Sequence, residues 1–362
     1  MSKPAVLALV TEAFGGRGGI AQYNRDLLTA WAGSGAASSI LVLPRFSHDA
    51  IRLPFESIRQ TGARRGRAGY TIAALCAAFS SRLDIVFCGH LYMAPLARLT
   101  AWICGAKLVV QAHGIEAWSK PSRFRRRAVE AADVVLCVSR YTRASLLAWA
   151  VIAPERVMVL PNTVGDTFTP GSSALRTSLN IEDKLVLLTV GRMDSRERYK
   201  GQDRVIAALP ALIAGGHDVA YLVVGEGDDV DRLKALAEQT GVRERVTFLG
   251  PVAEETLVEA YRMADLFVMP STGEGFGIAF LESMASGTPA LGLSVAGACD
   301  ALGDGELGTL VLEAELPAAI SRLLDAPRGD RKALSQAARS RFGRDAFSAR
   351  FGLLLHSFLE PA

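Results

Sequence analysis

Apolar residues along the chain follow two alternating patterns. Short continuous runs rich in Val, Ile and Leu recur at AVLALV (5–10), SSILVLP (38–44), DIVFCGH (84–90), KLVVQAH (107–113), DVVLCVS (133–139) and RVMVLP (156–161). Between most of them lie stretches in which apolar residues return every third or fourth position, such as Ile20–Ala32 and Tyr141–Ala150. A continuous apolar run predicts a strand buried on both faces, and the longer period predicts one face of a helix. Strands of this kind separated by helices predict a parallel sheet with helices on both sides.

The alternation stops after Asn162. TVGDTFTPGSSALRTSLNIEDK (163–184) is rich in Thr, Ser, Gly and Pro with little periodicity, and reads as an interdomain connection. The pattern restarts with KLVLLTVGR (184–192), DVAYLVVGEG (218–227), RVTFLG (245–250), DLFVMPS (265–271) and GTPALGL (287–293). The expected fold class is α/β, two doubly wound Rossmann-like domains in series facing an interdomain cleft. The tail from about Arg328 reads as helical and closes with DAFSARFGLLLHSFLE (345–360).

A chain of 362 residues, half of them apolar, suits two such domains. The net charge of +3 conceals an asymmetry: residues 1–165 carry 20 Lys and Arg against 9 Asp and Glu, and the remainder is acidic. Seven of the arginines fall in GARRGRAG (62–69) and SRFRRRA (122–128), which points to an anionic partner such as a membrane surface. No aromatic interleaving accompanies them, so nucleic acid is not expected. Five cysteines without a C-x-x-C spacing read as reduced core thiols of a cytosolic protein. AVLALV is too short for a signal-peptide core, and no apolar run is long enough to span a bilayer.

In open α/β sheets ligands gather at the carboxyl ends of strands, so the residues after each run carry the chemistry. After the first run, GGRGGIA (15–21) holds G-x-G-x-x-A at Gly16, Gly18 and Ala21, a turn that lets an anion approach the backbone. The acid a dinucleotide site would need after the second run is missing, since Leu43-Pro44-Arg45 stands there. His113, beside Gly114, ends a buried run and is a candidate catalytic residue; His90 is a weaker one, and His48 and His217 are not candidates. Arg192 follows Gly191 at a strand end, and Lys200-Gly201 precedes a helix, so two cations flank a loop able to pinch a diphosphate. GEGFGIAFLES (273–283) follows DLFVMP: Glu274 lies in the loop, Gly275-Phe276-Gly277 are expected to open a helix, and Glu282 lies within it. Amides at such a helix start suit phosphate or a sugar hydroxyl, and each carboxylate can accept two bonds from a vicinal diol. DDVD (228–231) contains D-x-D but opens a helix, where acids are favoured by the dipole, so no metal is expected.

Gly191-Arg192, Lys200-Gly201, VVGEGDD and Glu274-x7-Glu282 together resemble the donor half of retaining GT-B glycosyltransferases, the group 1 or family 4 class. The glycine loop, His113-Gly114 and PNTV (161–164) resemble its acceptor half. The resemblance implies an acceptor-side domain at 1–164, a nucleotide-sugar donor domain at 165–342 and a C-terminal helix, 343–362, crossing back to the first. It implies Arg192 and Lys200 on the diphosphate, Glu282 on ribose, Glu274 on the transferred hexose, and Gly250–Val252 at the base. It places Gly275, Phe276 and Gly277 beside the donor, His113 near the reacting carbon, and Gly16, Gly18 and Gly19 toward phosphate or acceptor. The implied reaction moves a hexose from GDP-mannose or a UDP-hexose to a lipid-linked or polysaccharide acceptor, with retention and without a metal or other cofactor. The expected setting is cytoplasmic, peripheral on the inner face of the membrane. Glu254, past the base-bordering segment, reads either as a guanine partner or as a helix-start acid. Two departures stand out: VAGACDALGDGELG (295–308) lacks the Pro-Glu of the class, and PNTVGD moves the acid to Asp166. Two rival readings are an NAD(P)-dependent oxidoreductase using GGRGGIA and a nucleotide-sugar-binding protein without catalysis. The first gives Arg192, Lys200 and Glu274 no role.

Overall fold

The computed structural model describes residues 3–46, 52–64, 66–80, 82–327 and 329–359, so His48 and Arg65 lie outside the described residues. The chain divides into two compact units, Met1–Thr163 with Arg344–Ala362, and Val164–Gly343.

The first unit holds seven strands: β1 (Ala5–Val10), β2 (Ser39–Pro44), β3 (Ile58–Gln60), β4 (Ile85–Cys88), β5 (Lys107–Ala112), β6 (Val134–Cys137) and β7 (Val157–Val159). They form one parallel sheet in the order β3-β2-β1-β4-β5-β6-β7. β1 is an interior strand, with Ala8 opposite Val42 on one side and Phe87 on the other. Its unbroken apolar run follows from helices on both faces. One face is covered by helices Arg67–Ser80, Ala94–Cys104 and Arg123–Glu130, whose Tyr70, Ala74, Ala97, Ala101 and Val129 pack with Leu7, Leu9, Val86 and Cys88. The other face meets helix Gly19–Gly33 and the tail helix Arg344–Leu359. There Trp31 lies edge-on to Phe87 at 6.4 Å and to Phe351 at 5.5 Å, and Tyr23 to Phe347 at 5.9 Å. Each such fully buried side chain contributes about 1.5–3 kcal/mol.

The second unit repeats the plan with β8 (Leu185–Val190), β9 (Val219–Val224), β10 (Val246–Gly250), β11 (Leu266–Met269), β12 (Ala290–Leu293) and β13 (Thr309–Val311), all parallel in the order β10-β9-β8-β11-β12-β13. Helix Gln202–Ala214 buries Val205, Ile206 and Leu209 on one face. On the other, Tyr261 of helix Glu254–Met263 and Phe280 of helix Ile278–Ala285 flank Phe267 of β11, with ring centroids 5.7 and 5.6 Å away.

Eleven strands coincide with the apolar runs. β3 and β13 do not: IRQ (58–60) carries two polar residues among its three, and TLV (309–311) is a three-residue strand that follows a glycine-rich turn. The 163–184 segment is not a loose linker: from Val164 onward it is strapped to the second unit. Arg262 donates to the Thr169 carbonyl at 2.7 Å, and Arg176 bridges the Met263 carbonyl (2.6 Å) and Asp265 (2.7 Å). Two arginines thus supply the order that hydrophobic periodicity would otherwise signal. All five cysteines are free thiols, and burial pushes Cys88 up to about 12, in keeping with an inert core residue. No helix among the described residues is long and apolar enough to cross a membrane.

Candidate functional site

On the second unit, the loop after β8 owes its shape to the loop after β9. Gly191 donates to the Val224 carbonyl (2.9 Å), Met193 to Glu226 (2.8 Å), and Asp229 to Met193 (2.8 Å). A Cβ on Gly225 or Gly227 would collide with the Gly191 or Met193 carbonyl, so VVGEG needs its glycines for this approach. Asp228 accepts from the Ser195 amide at 2.6 Å and its hydroxyl at 2.8 Å. Buried Asp229 joins Arg198 at 3.0 Å and Arg232 at 2.5 Å. The Ser195 bonds lower the pKa of Asp228, and the Arg232 bond that of Asp229. DDVD therefore fastens the arginine-rich loop. Sequence reasoning missed this role because the partners lie about thirty residues upstream.

Within the fastened loop, Arg192 is largely exposed and pairs with Glu197 at 2.5 Å. Lys200 and Glu274 meet at 2.7 Å with only 15 % and 11 % of their side chains exposed. Thr272 donates to the Tyr199 carbonyl at 2.9 Å, joining the two loops beside that pair. The cations expected on a diphosphate and the carboxylate expected on a hexose thus occupy the carboxyl ends of adjacent strands β8 and β11.

The helix after β11 starts later than the sequence suggests. Gly275 and Phe276 stay in the loop; Gly277, at φ 98°, is the N-cap of Ile278–Ala285. The Phe276 ring turns inward onto Phe342 (5.6 Å), so it offers a ligand its backbone rather than its side chain. Gly297 donates to the Glu274 carbonyl at 2.9 Å, bracing the loop from the segment that lacks Pro-Glu. Glu282 is half-buried on the helix. The buried Tyr261 hydroxyl donates to its Oε2 at 2.8 Å, and among the described residues Oε1 has no protein partner. Burial pushes Glu282 up to about 7; the Tyr261 bond opposes this and the Glu254 carboxylate adds to it. Val252 is half-buried just past β10. Glu254 begins the next helix and accepts from Thr167 at 2.7 Å, so it has a structural partner beyond the dipole.

On the first unit, Gly16 is packed so closely that a Cβ would strike Glu12 and Ala21, and its carbonyl accepts from Arg25 at 2.6 Å. Gly18 is the N-cap of the helix that Gly19 opens. The Arg17 amide donates to the Glu12 carboxylate at 3.1 Å. His113 Nε2 lies 2.9 Å from the Gly89 carbonyl. A carbonyl only accepts, so Nε2 carries the hydrogen and Nδ1 is left as an acceptor. The His113 amide donates to Glu116 at 2.6 Å, and burial lowers the ring's pKa, which keeps it neutral. His90 differs: its Nδ1 accepts from the Tyr92 amide at 3.2 Å, capping the turn Leu91–Met93, and burial lowers it to about 4. His217 is tied to the Leu212 carbonyl and Asp325. Among the described residues no His, Cys, Asp and Glu cluster is arranged to hold a metal ion.

The pattern of the family described as glycosyl transferases group 1 matches residues 172–341, and that of glycosyltransferase family 4 matches 17–167. The chain is 33 % identical over 255 residues to the GDP-mannose-dependent alpha-(1-6)-phosphatidylinositol monomannoside mannosyltransferase of Mycolicibacterium smegmatis, covering 65 % of each. It is 36 % identical over 192 residues to the D-inositol 3-phosphate glycosyltransferase of Mycobacterium sp. (strain KMS), covering 51 % of this chain and 43 % of that protein. The matched region thus spans between 43 % and 65 % of these curated relatives. Among solved structures, Anabaena Alr3699/HepE in complex with UDP and glucose superposes with a TM-score of 0.79 at 20 % identity, covering 98 % of this chain and all of that one. With both halves matched and the two-sheet fold shared, this chain belongs to the group 1 glycosyltransferases and has their GT-B fold.

Proposed function

We propose that the chain is a retaining, metal-independent glycosyltransferase that moves a hexose from GDP-mannose or a UDP-hexose to a lipid-linked or polysaccharide acceptor. The observation that carries this reading is the Lys200–Glu274 contact at 2.7 Å, with Arg192 on the same loop. Two cations suited to a diphosphate and a carboxylate suited to sugar hydroxyls thus stand together at the carboxyl ends of adjacent strands. The named mannosyl and inositol phosphate relatives support the donor and acceptor classes, and the UDP-bound neighbour supports the fold's capacity for a nucleotide.

In the proposed reaction the bond from the anomeric carbon to the diphosphate breaks, and the electron pair leaves with the phosphate oxygen. Arg192, Lys200 and the amides near Gly277 stabilise that growing charge, the work a divalent ion does in other transferases. The acceptor hydroxyl attacks from the departing face and gives its proton to the leaving phosphate. Glu274 orients hexose hydroxyls, Glu282 Oε1 accepts from ribose, and the Val252 segment borders the base. From the first unit, His113 serves the hexose through Nδ1, and the Gly16–Gly19 loop serves phosphate or acceptor. No cofactor is assigned, and the proposed setting is the cytoplasmic face of a membrane.

A donor-hydrolysis and transfer panel across nucleotide sugars tests this. Release of UDP or GDP from one donor, abolished by Glu274→Ala in a folded protein, is the expected result. Thermal stabilisation by NAD(P) and not by UDP or GDP would overturn it in favour of the oxidoreductase. Donor binding that survives without any turnover would favour a non-catalytic sugar-nucleotide binder.

A further inference from the structure

Three neighbouring helices of the first unit turn large apolar side chains outward. Helices Arg67–Ser80, Ala94–Cys104 and Arg123–Glu130 pack side by side and share one core cluster beneath them. Their outer faces are not the polar surface this packing leads one to expect. Ile72 and Phe79 project from the first, Leu99 and Trp102 from the second, and Phe124 from the third. Phe79, Trp102 and Phe124 are 77 %, 79 % and 78 % exposed. Ile72 and Phe79 are seven positions apart, and Leu99 and Trp102 three, so each pair lies on one stripe of its helix. An outward apolar face of this kind on a folded unit marks a surface that is covered in use.

The charge around it names the partner. These helices carry six arginines, at 67, 98, 123, 125, 126 and 127, and a single acid, Glu130. That acid is already paired with Arg126 at 2.7 Å. Arg125 lies over the Tyr92 ring at 4.4 Å. Arg98 reaches the Arg127 carbonyl at 3.3 Å, linking the second and third helices. Arg67, Arg123 and Arg127 remain on the exposed side. Aromatic tips among uncompensated arginines fit the headgroup and upper acyl region of an anionic bilayer: the arginines meet phosphates and the rings enter the interface.

We propose that this three-helix face docks the chain onto anionic membrane lipid, with Phe79, Trp102 and Phe124 inserting and Arg67, Arg123 and Arg127 holding headgroups. The inference rests on the proposed reading only where that reading supplies a lipid-linked acceptor; it does not depend on the donor chemistry.

The test is flotation of the full chain with vesicles of phosphatidylcholine alone or mixed with phosphatidylglycerol, beside a vesicle-free donor-hydrolysis assay. The wild type is expected to float with the mixed vesicles and poorly with the neutral ones. Reversing Arg67, Arg123 and Arg127 to Glu together is expected to weaken binding about a hundredfold or more, since each basic residue at the surface contributes about fivefold. The combined Phe79→Ala, Trp102→Ala and Phe124→Ala variant is expected to lose flotation, and the blue shift of Trp fluorescence on vesicles is expected to vanish in Trp102→Phe. Donor hydrolysis by these surface variants should stay at the wild-type rate, which reports that they fold. Wild type that stays in solution, or variants that float as it does, overturn the proposal. So does self-association in vesicle-free buffer that the aromatic variant abolishes, which would make the face a protein interface. Flotation without donor hydrolysis would support the docking face while sinking the transferase reading.

Discussion

The Tyr261 hydroxyl donates to Oε2 of Glu282 at 2.8 Å from a fully buried position, fixing one carboxylate oxygen and leaving the other for a ligand. Tyr261 is a positioning residue in this arrangement. Tyr261→Phe is expected to raise the donor KM about tenfold with kcat little changed, and to cost about 1–3 kcal/mol of stability by leaving a buried acceptor unpaired. Because the bond holds the Glu282 pKa down, the variant should also move the pH midpoint of donor KM upward. A purely structural tyrosine would change stability alone.

Glu282 itself sets a pH dependence. With its pKa pushed up to about 7, it is largely neutral in mild acid and charged in mild base. Only the carboxylate accepts two hydroxyl hydrogens, so donor KM should fall as pH rises through about 7, and the dependence should flatten in Glu282→Gln. Stability runs the other way. The folded state holds this proton more tightly than the unfolded chain, so the group's contribution declines as pH climbs from the ordinary carboxylate range through about 7. Thermal melts of wild type and Glu282→Gln across that range check the sign: the variant should gain in relative stability as pH rises.

Lys200 carries the burden of leaving-group charge in the proposed reaction. Lys200→Met should lower kcat by about two to three orders of magnitude, the scale of losing one preorganised donor to a developing anion. It also leaves Glu274 without its partner, so Glu274→Gln in the same background should recover stability but not turnover. Treatment with a chelator should leave the wild-type rate unchanged; a collapse restored by magnesium or manganese would remove the assignment of the charge to Arg192 and Lys200.

Asp229 is expected to matter without touching substrate. It links Arg198 and Arg232 from a buried position, and Asp229→Ala should cost about 1.5–3 kcal/mol and weaken nucleotide affinity by loosening the 191–200 loop. Thermal shift with UDP or GDP, measured against Asp231→Ala on the exposed side of the same helix start, separates the two acids of the D-x-D.

What the sequence made legible was what a continuous run or a strand-end position encodes. Leu7 to Val10 and Leu185 to Val190 announce buried parallel strands because every side chain faces a helix layer. Arg192, Lys200 and Glu274 stand out because charge in the loop after such a run gathers where ligands do, and Glu282 because a carboxylate interrupts an otherwise apolar helix. Pairings across long separations were not legible: Lys200 with Glu274, Tyr261 with Glu282, and Ser195 with Asp228 all depend on sheet order. Nor could periodicity tell that Phe79 and Trp102 face outward, since an apolar stripe reads the same whether it meets a core or a solvent boundary. Arg176 and Arg262 order a segment whose composition spells linker.

The two ends of the second unit are joined to each other: the Val164 amide donates to the Phe342 carbonyl at 3.0 Å, and Val164 bridges Gly343. The unit is thus an uninterrupted cassette with adjacent termini, whereas its companion is assembled from two separate stretches, 1–163 and 344–362. A graft could lift out residues 164–343 at a single seam, but trimming the last helix would strip the cover from Trp31 and Tyr23.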